Sequence, residues 1–296
     1  MSAAGGLSRQ YAKLCDLDDF EDPALLRAVA EVRSERQPTE HVERKVWEYA
    51  MLALFLEDVG RLHEDTEALA IGAGNERILF WLANRIGRVV ATDIYGEGEF
   101  ADKEATLSML ENPRTQSPFP YREDRLEVRW MDARELDFPD ESFDVVFSIS
   151  SIEHFGGPGE IARSAREMGR VLRPGGHAFV VSECFVRRHP LNAAPVDFAA
   201  RLLTLGRRRR RATPRRRAVV DQVFTPRELG RRVVAPSGLR LLQPLDLTLS
   251  PESWTSLASP GYPHILVQAD RSVFTSVCLP LEKPGRATMP PCGDSR

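Results

Sequence analysis

From residue 66 to residue 183 the chain alternates short apolar runs with stretches of helical period, and few folds accommodate that alternation. The apolar run 68–71 stops at Gly72-Ala73-Gly74, and a helix-like stretch, 76–85, follows. Residues 88–92 form a second run ending in Asp93, with a helix expected at 101–110. Residues 126–130 alternate as a half-buried strand does, and 143–149 form a nearly continuous apolar strand. A helix over 160–172 then leads into a strand at 177–182. Strands separated by helices in this way make βαβ units, so a doubly wound α/β fold with a mostly parallel sheet is expected.

The flanks are less regular. Residues 1–38 are polar and acidic, with one short helix at 23–33, where Pro23 suits a first helical turn. Within 39–59, Val42, Val46, Tyr49, Ala53 and Leu56 recur at three- and four-residue steps, one face of an amphipathic helix that Gly60 ends. Residues 1–60 therefore read as an N-terminal helical cap and 61–283 as the main domain. An arginine-rich insertion interrupts that domain at about 187–223. The pattern resumes with a helix at 226–234 and two strand-like stretches, 239–249 and 265–281, expected as an antiparallel pair closing the sheet. Residues 284–296, with three prolines and two glycines, read as a disordered tail.

Composition narrows the class of protein. The four cysteines form no CxxC pair, which argues against a disulfide framework or a zinc knuckle and fits a reducing compartment. No apolar leader is visible and no window reaches the ~18 apolar residues of a membrane span, so a cytoplasmic protein is expected. The net charge of −3 conceals an asymmetry: nine arginines and no acid fall within 201–217, and the rest of the chain is correspondingly acidic. Such a run is a solvated loop, a clamp for a phosphorylated or acidic acceptor, or a contact with nucleic acid or anionic membrane. It lacks the interleaved aromatics of a base-stacking platform, so nucleic acid is the weakest of these readings.

The glycine turn carries the first chemical signal. Two glycines at a strand end, with a helix opening behind them, permit close backbone approach to a nucleotide and offer free N–H groups. A tight strand–helix connection would look the same. Asp93, followed by Ile94, ends the next strand 19 residues after Gly74. That is close to the ~20-residue spacing at which an acid meets an adenosine ribose. Asp132-Ala133 follows the third strand, where a carboxylate and a backbone N–H can hold an adenine edge. A dinucleotide fingerprint would place a glycine at position 77; Arg77 stands there and speaks against an NAD(P)-dependent enzyme.

The ordered segments AIGAGNE (70–76), ATDIY (91–95), MDARELDFPDESFDVVFSISSIEHF (131–155) and EMGRVLRPGGHAFVVSE (167–183) resemble the motif series of class I S-adenosylmethionine-dependent methyltransferases of the small-molecule type. The resemblance implies a Rossmann-like sheet of seven strands with the last antiparallel, and S-adenosylmethionine over the ends of the first four. It implies cofactor contacts from Gly72, Ala73, Gly74, Asn75, Glu76, Asp93, Ile94, Asp132, Ala133, Ser148 and Ser150. It implies methyl transfer to a small molecule; a hydroxyl of a sugar or natural product is the expected acceptor, ahead of a nitrogen or a carbon. Two positions depart from the family: Ala70 replaces an acid two residues before the first glycine, and Glu76 replaces a third glycine. Glu76 is either a substitute partner for the cofactor's ammonium or a carboxylate favoured by the helix dipole. The departures keep open a methyltransferase-fold binding or regulatory module.

Glu153 and His154 lie just past the fourth strand, where the methyl group would face its acceptor. A hydroxyl is a poor nucleophile until its proton is removed, and a histidine takes one near neutral pH, so His154 is the candidate base. The pair also suits a simple turn, and positioning alone can accelerate a methyl displacement. Ser150 stands where a second acid would be needed beside Glu153 for a metal, so no metal site is expected. In the helix at 39–59, His41, Arg44, Trp47 and Tyr49 are candidates to wall the pocket, with plain core packing the alternative for the two aromatics.

Overall fold

The computed structural model describes residues 6–40, 42–189, 222–258, 261–269 and 271–285. Among the described residues eight strands form one sheet: β1 (Glu67–Ile71), β2 (Arg88–Asp93), β3 (Leu126–Trp130), β4 (Phe143–Ile149), β5 (Leu172–Arg187), β6 (Arg240–Leu241), β7 (Val267–Ala269) and β8 (Ser272–Glu282). Their order is β3-β2-β1-β4-β5-β8-β6, with β7 also paired to β8. The first five are parallel, with Leu69 facing Val90 on one side and Val146 on the other. β8 runs antiparallel to β5, β6 and β7. The expected doubly wound sheet with an antiparallel last strand is present, with one strand more than expected.

The strand order reverses between β1 and β4. The chain builds outward to β3 on one side and to β5 on the other, which opens a crevice beyond the carboxyl ends of β1 and β4. The strand starts are tied at the opposite edge. Asp144 accepts the Glu67 N–H at 3.0 Å and an Arg173 guanidinium N–H at 2.7 Å. The Arg173-Pro174-Gly175-Gly176 return is held by Lys283, whose backbone pairs with both glycines and whose ammonium donates to the Leu172 carbonyl at 2.7 Å.

Helices α1 (Pro23–Val32) and α2 (Arg44–Asp58) pack over one face of the sheet, whereas α3 (Arg77–Ala83) and α4 (Leu107–Glu111) follow β1 and β2. Helix α5 (Pro158–Val171) covers the other face with α6, which runs from Pro226–Leu229 through a π-helical turn, Gly230–Val234, into Ala235–Ser237. α2 is more deeply buried than one amphipathic face requires: every residue from Val46 to Leu56 is buried, Glu48 included. A helix enclosed on all sides has no solvent face to reserve for charge, so a carboxylate inside it needs a specific reason.

The closing segment departs from expectation. Residues 239–249 yield only the two-residue β6, because their backbone is claimed by the N-terminal segment. Leu14 donates to the Asp246 carbonyl, Asp246 to that of Ala12, and the Gln243 amide oxygen caps the Tyr11 N–H. A short helix, α7 (Pro251–Ser256), replaces the expected turn. The stretch 265–281 breaks into the β7–β8 pair, with Arg271 at φ 67° between them. The arginine-rich run 201–217, His41 and most of the tail fall outside the described residues. Among the described residues, no helix is long and apolar enough to cross a membrane.

Candidate active site

The glycine turn is built by the strands beside it. Gly72 and Gly74 have φ of 63° and 49°, the left-handed region where a side chain is strained. A Cβ on Gly72 would lie 2.7 Å from Ser151 Cβ, and one on Gly74 would lie 2.9 Å from the Glu104 carbonyl. The end of β2 sets the turn's shape: Ala73 donates to the Thr92 carbonyl, and Asp93 accepts the Gly74 N–H at 2.8 Å on one oxygen and the Ile94 N–H at 2.8 Å on the other. Burial pushes the Asp93 carboxyl above its ordinary value, against the pull of these two N–H groups. Tyr95 donates to the Gly74 carbonyl at 3.0 Å. Arg77 leaves the turn altogether and pairs with Glu35 at 2.8 Å.

A cavity of about 810 Å³ opens above this turn. Of the residues expected from the sequence, Gly72, Gly74, Glu76, Asp93, Ile94, Asp132, Ala133, Ser150 and His154 line it. Four others do not. Ala73 is buried in the turn, and Asn75 points away to Gln116 at 3.3 Å. Ser148 lies inside β4, two residues below Ser150, and sits at a separate void of about 10 Å³. Glu153 is 3% exposed behind the wall, where it accepts the Ser182 hydroxyl at 2.9 Å. Burial, helped by the charge of Glu183, pushes the Glu153 carboxyl up to about 8, so it is largely protonated at neutral pH.

His154 ends a short 3-10 turn, Ile152–His154, and its ring meets Phe100 edge-on at 4.8 Å. Burial lowers its pKa, so the imidazole is neutral at neutral pH. Its Nδ1 is buried without a hydrogen-bond partner among the described residues. Ser150, at φ 48°, donates to Glu48 at 2.9 Å, and Ser151 donates to the Gly72 carbonyl at 2.7 Å, which fastens β4 to the glycine turn. Asp132 is gripped by Arg134, whose guanidinium and backbone N–H both reach its carboxylate.

Several lining residues were not singled out in the sequence. Lys45 and Glu48 from α2 face the turn, and Glu183 of β5 lines the cavity paired with Arg44 at 2.8 Å. Glu97, Glu99 and Glu104 form an exposed acidic rim. The available signal was Glu48, the one charge between Val46 and Leu56. Of the wall candidates in this helix, Arg44 lines the cavity. Trp47 is core instead, its indole N–H donating to Asp19 at 2.8 Å, and Tyr49 is buried beside Lys45.

Residues 69–180, which carry the parallel strands and the glycine turn, match the family model described as a methyltransferase domain. The chain is similar to a phosphatidylethanolamine N-methyltransferase of Cereibacter sphaeroides, 41% identical over 80 residues, covering 27% of this chain and 38% of that protein. It is also similar to methyltransferase GfsG of Streptomyces halstedii, 32% identical over 123 residues, 41% of this chain and 38% of that one. The chain thus spans less than half the length of these curated relatives. In fold it resembles the geranyl diphosphate C-methyltransferase of Streptomyces coelicolor A3(2), with a TM-score of 0.52 at 14% identity over 94% of this chain and 90% of that one.

The residues present fit the cofactor that the family implies. Two glycines that tolerate no Cβ, a half-buried carboxylate at the end of β2 and the Asp132-Ala133 edge line one cavity. Asp93 and the turn would hold the ribose, and Asp132 with Ala133 the adenine.

Proposed function

We propose that the protein transfers the methyl group of S-adenosylmethionine to a small-molecule acceptor, at a hydroxyl of a sugar or natural product. The supporting observation is that one cavity joins the glycine turn and Asp93 to a half-buried, neutral His154. When bound, the cofactor supplies an activated sulfonium methyl that leaves in a single in-line displacement. Phe100, Phe155 and the start of α2 wall the cavity and limit water around the acceptor. His154 takes the hydroxyl proton, a role for which a neutral imidazole is required. Positioning supplies much of the remainder, up to ~7–11 kcal/mol in favourable cases. Glu153 stays behind the wall as a neutral group that accepts the Ser182 hydroxyl.

The acidic rim favours a neutral or cationic acceptor over a phosphorylated one. A phosphate beside Glu97, Glu99 and Glu104 would meet like charge, and Arg44 is already paired with Glu183. His154→Gln tests the proposal. It should leave S-adenosylhomocysteine affinity unchanged while methyl transfer from labelled S-adenosylmethionine to a panel of hydroxylated acceptors falls about 10²–10⁴-fold. Unchanged transfer would remove His154 from the chemistry.

A further inference from the structure

The methionine end of the cofactor carries an ammonium and a carboxylate, and taking both out of water calls for charges of both signs. The strand-end position that holds an acid in related sequences is Ala70. It is buried beside a void of about 10 Å³, which leaves no space for a charged group to enter from the sheet. The charges lie across the cavity instead. Glu48 is 2% exposed within an apolar stretch of α2, and one of its oxygens receives the Ser150 and Ser276 hydroxyls at 2.9 and 2.5 Å. Its other oxygen stands 3.1 Å from the Lys45 ammonium without an aligned hydrogen bond. Lys45 also reaches Glu76, the N-cap of α3, at 3.0 Å.

Two carboxylates therefore share one ammonium, at the place where the cavity meets the glycine turn, and Arg44 and Glu183 beside them cancel. Among these five groups one negative charge is in excess, with Glu48 buried and Lys45 and Glu76 half-buried at the cavity wall. Helix stability does not account for it, since an uncompensated buried charge opposes folding. The two acids are held unequally: Lys45 and Arg44 draw the Glu48 carboxyl down, while burial pushes that of Glu76 up. An arriving ammonium would supply the missing positive charge and free Lys45 to meet a carboxylate.

We propose that Glu76 and Glu48 bind the cofactor's ammonium and Lys45 its carboxylate, so that α2 and the N-cap of α3 replace the strand-end acid that Ala70 lacks. This rests on the cavity being the cofactor site. Isothermal titration of the full chain with S-adenosylhomocysteine and with 5′-methylthioadenosine, which keeps the adenosine but lacks the amino-acid end, separates the two. S-Adenosylhomocysteine should bind about 100-fold more tightly than methylthioadenosine, as charge-assisted hydrogen bonds at both ends of the zwitterion require. Glu76→Gln and Lys45→Met should each lower S-adenosylhomocysteine affinity about tenfold or more and leave methylthioadenosine affinity within about twofold. Glu48→Gln should do the same, with methylthioadenosine binding reporting that the variant is folded. Equal affinity of the wild type for both ligands, or variants that leave the ratio unchanged, would overturn the inference while the adenosine site stands. Binding of neither ligand would overturn the cofactor reading and the inference together.

Discussion

Replacing Glu153 with glutamine should change how stability depends on pH. The carboxyl is 3% exposed, and burial, with the Glu183 charge nearby, pushes it up to about 8 from an ordinary 4.5. Its folded pKa is raised, so the folded state keeps a proton that the unfolded chain releases. The resulting stabilisation is complete below the unfolded pKa and is lost as pH rises through the folded one. Between those values the two states differ by about one proton, a slope of about 1.4 kcal/mol per pH unit. From pH 6 to pH 8 the wild type should therefore lose roughly 2 kcal/mol through this group. Glutamine does not titrate and keeps an oxygen to accept the Ser182 hydroxyl. His154, whose depressed pKa acts in the opposite direction, is present in both proteins and cancels in the comparison. Urea unfolding of both proteins at pH 6, 7 and 8 supplies the measurement. The wild-type curve should fall relative to the variant by roughly 2 kcal/mol over that range. Parallel curves would show that Glu153 is ionised in the fold, and its place as a neutral group behind the cavity wall would be wrong.

Two further substitutions probe the turn and the helix above it. Gly74→Ala forces a Cβ to within 2.9 Å of the Glu104 carbonyl at φ 49°, so it should cost about 1–3 kcal/mol in denaturant unfolding and abolish detectable S-adenosylhomocysteine binding. Trp47→Phe removes the indole N–H that Asp19 accepts; it should cost about 1–3 kcal/mol in stability yet leave cofactor affinity unchanged. Weakened binding with unaltered stability would place Trp47 in the pocket wall instead.

Much of the fold was legible because its central strands are local patterns. β3 and β4 coincide with the expected 126–130 and 143–149, and the glycine turn with Asp93 marked the crevice. The closing strands were legible only in part: β6 and β8 are the expected antiparallel pair, but how much of 239–249 joins the sheet depends on residues 11–14, far away in sequence. The site divided in the same way. Residues next to strand ends line the cavity as their sequence positions suggested, whereas Lys45 and Glu48 belong to a helix whose placement over the turn is a tertiary fact. Ser148 and Glu153 were misplaced because sequence position cannot tell a residue at the strand mouth from one buried beneath it.

The most direct test is calorimetric titration of S-adenosylhomocysteine into the wild type and Asp93→Ala. Asp93 holds the Gly74 and Ile94 N–H groups at 2.8 Å and would bind the ribose, so its loss removes the turn's support along with the ligand's partner. Micromolar binding to the wild type, weakened about 100-fold in the variant, is expected from losing two charge-assisted hydrogen bonds. A well-folded wild type that fails to bind, or a variant that binds equally well, would contradict the assignment of this cavity to the methyl donor.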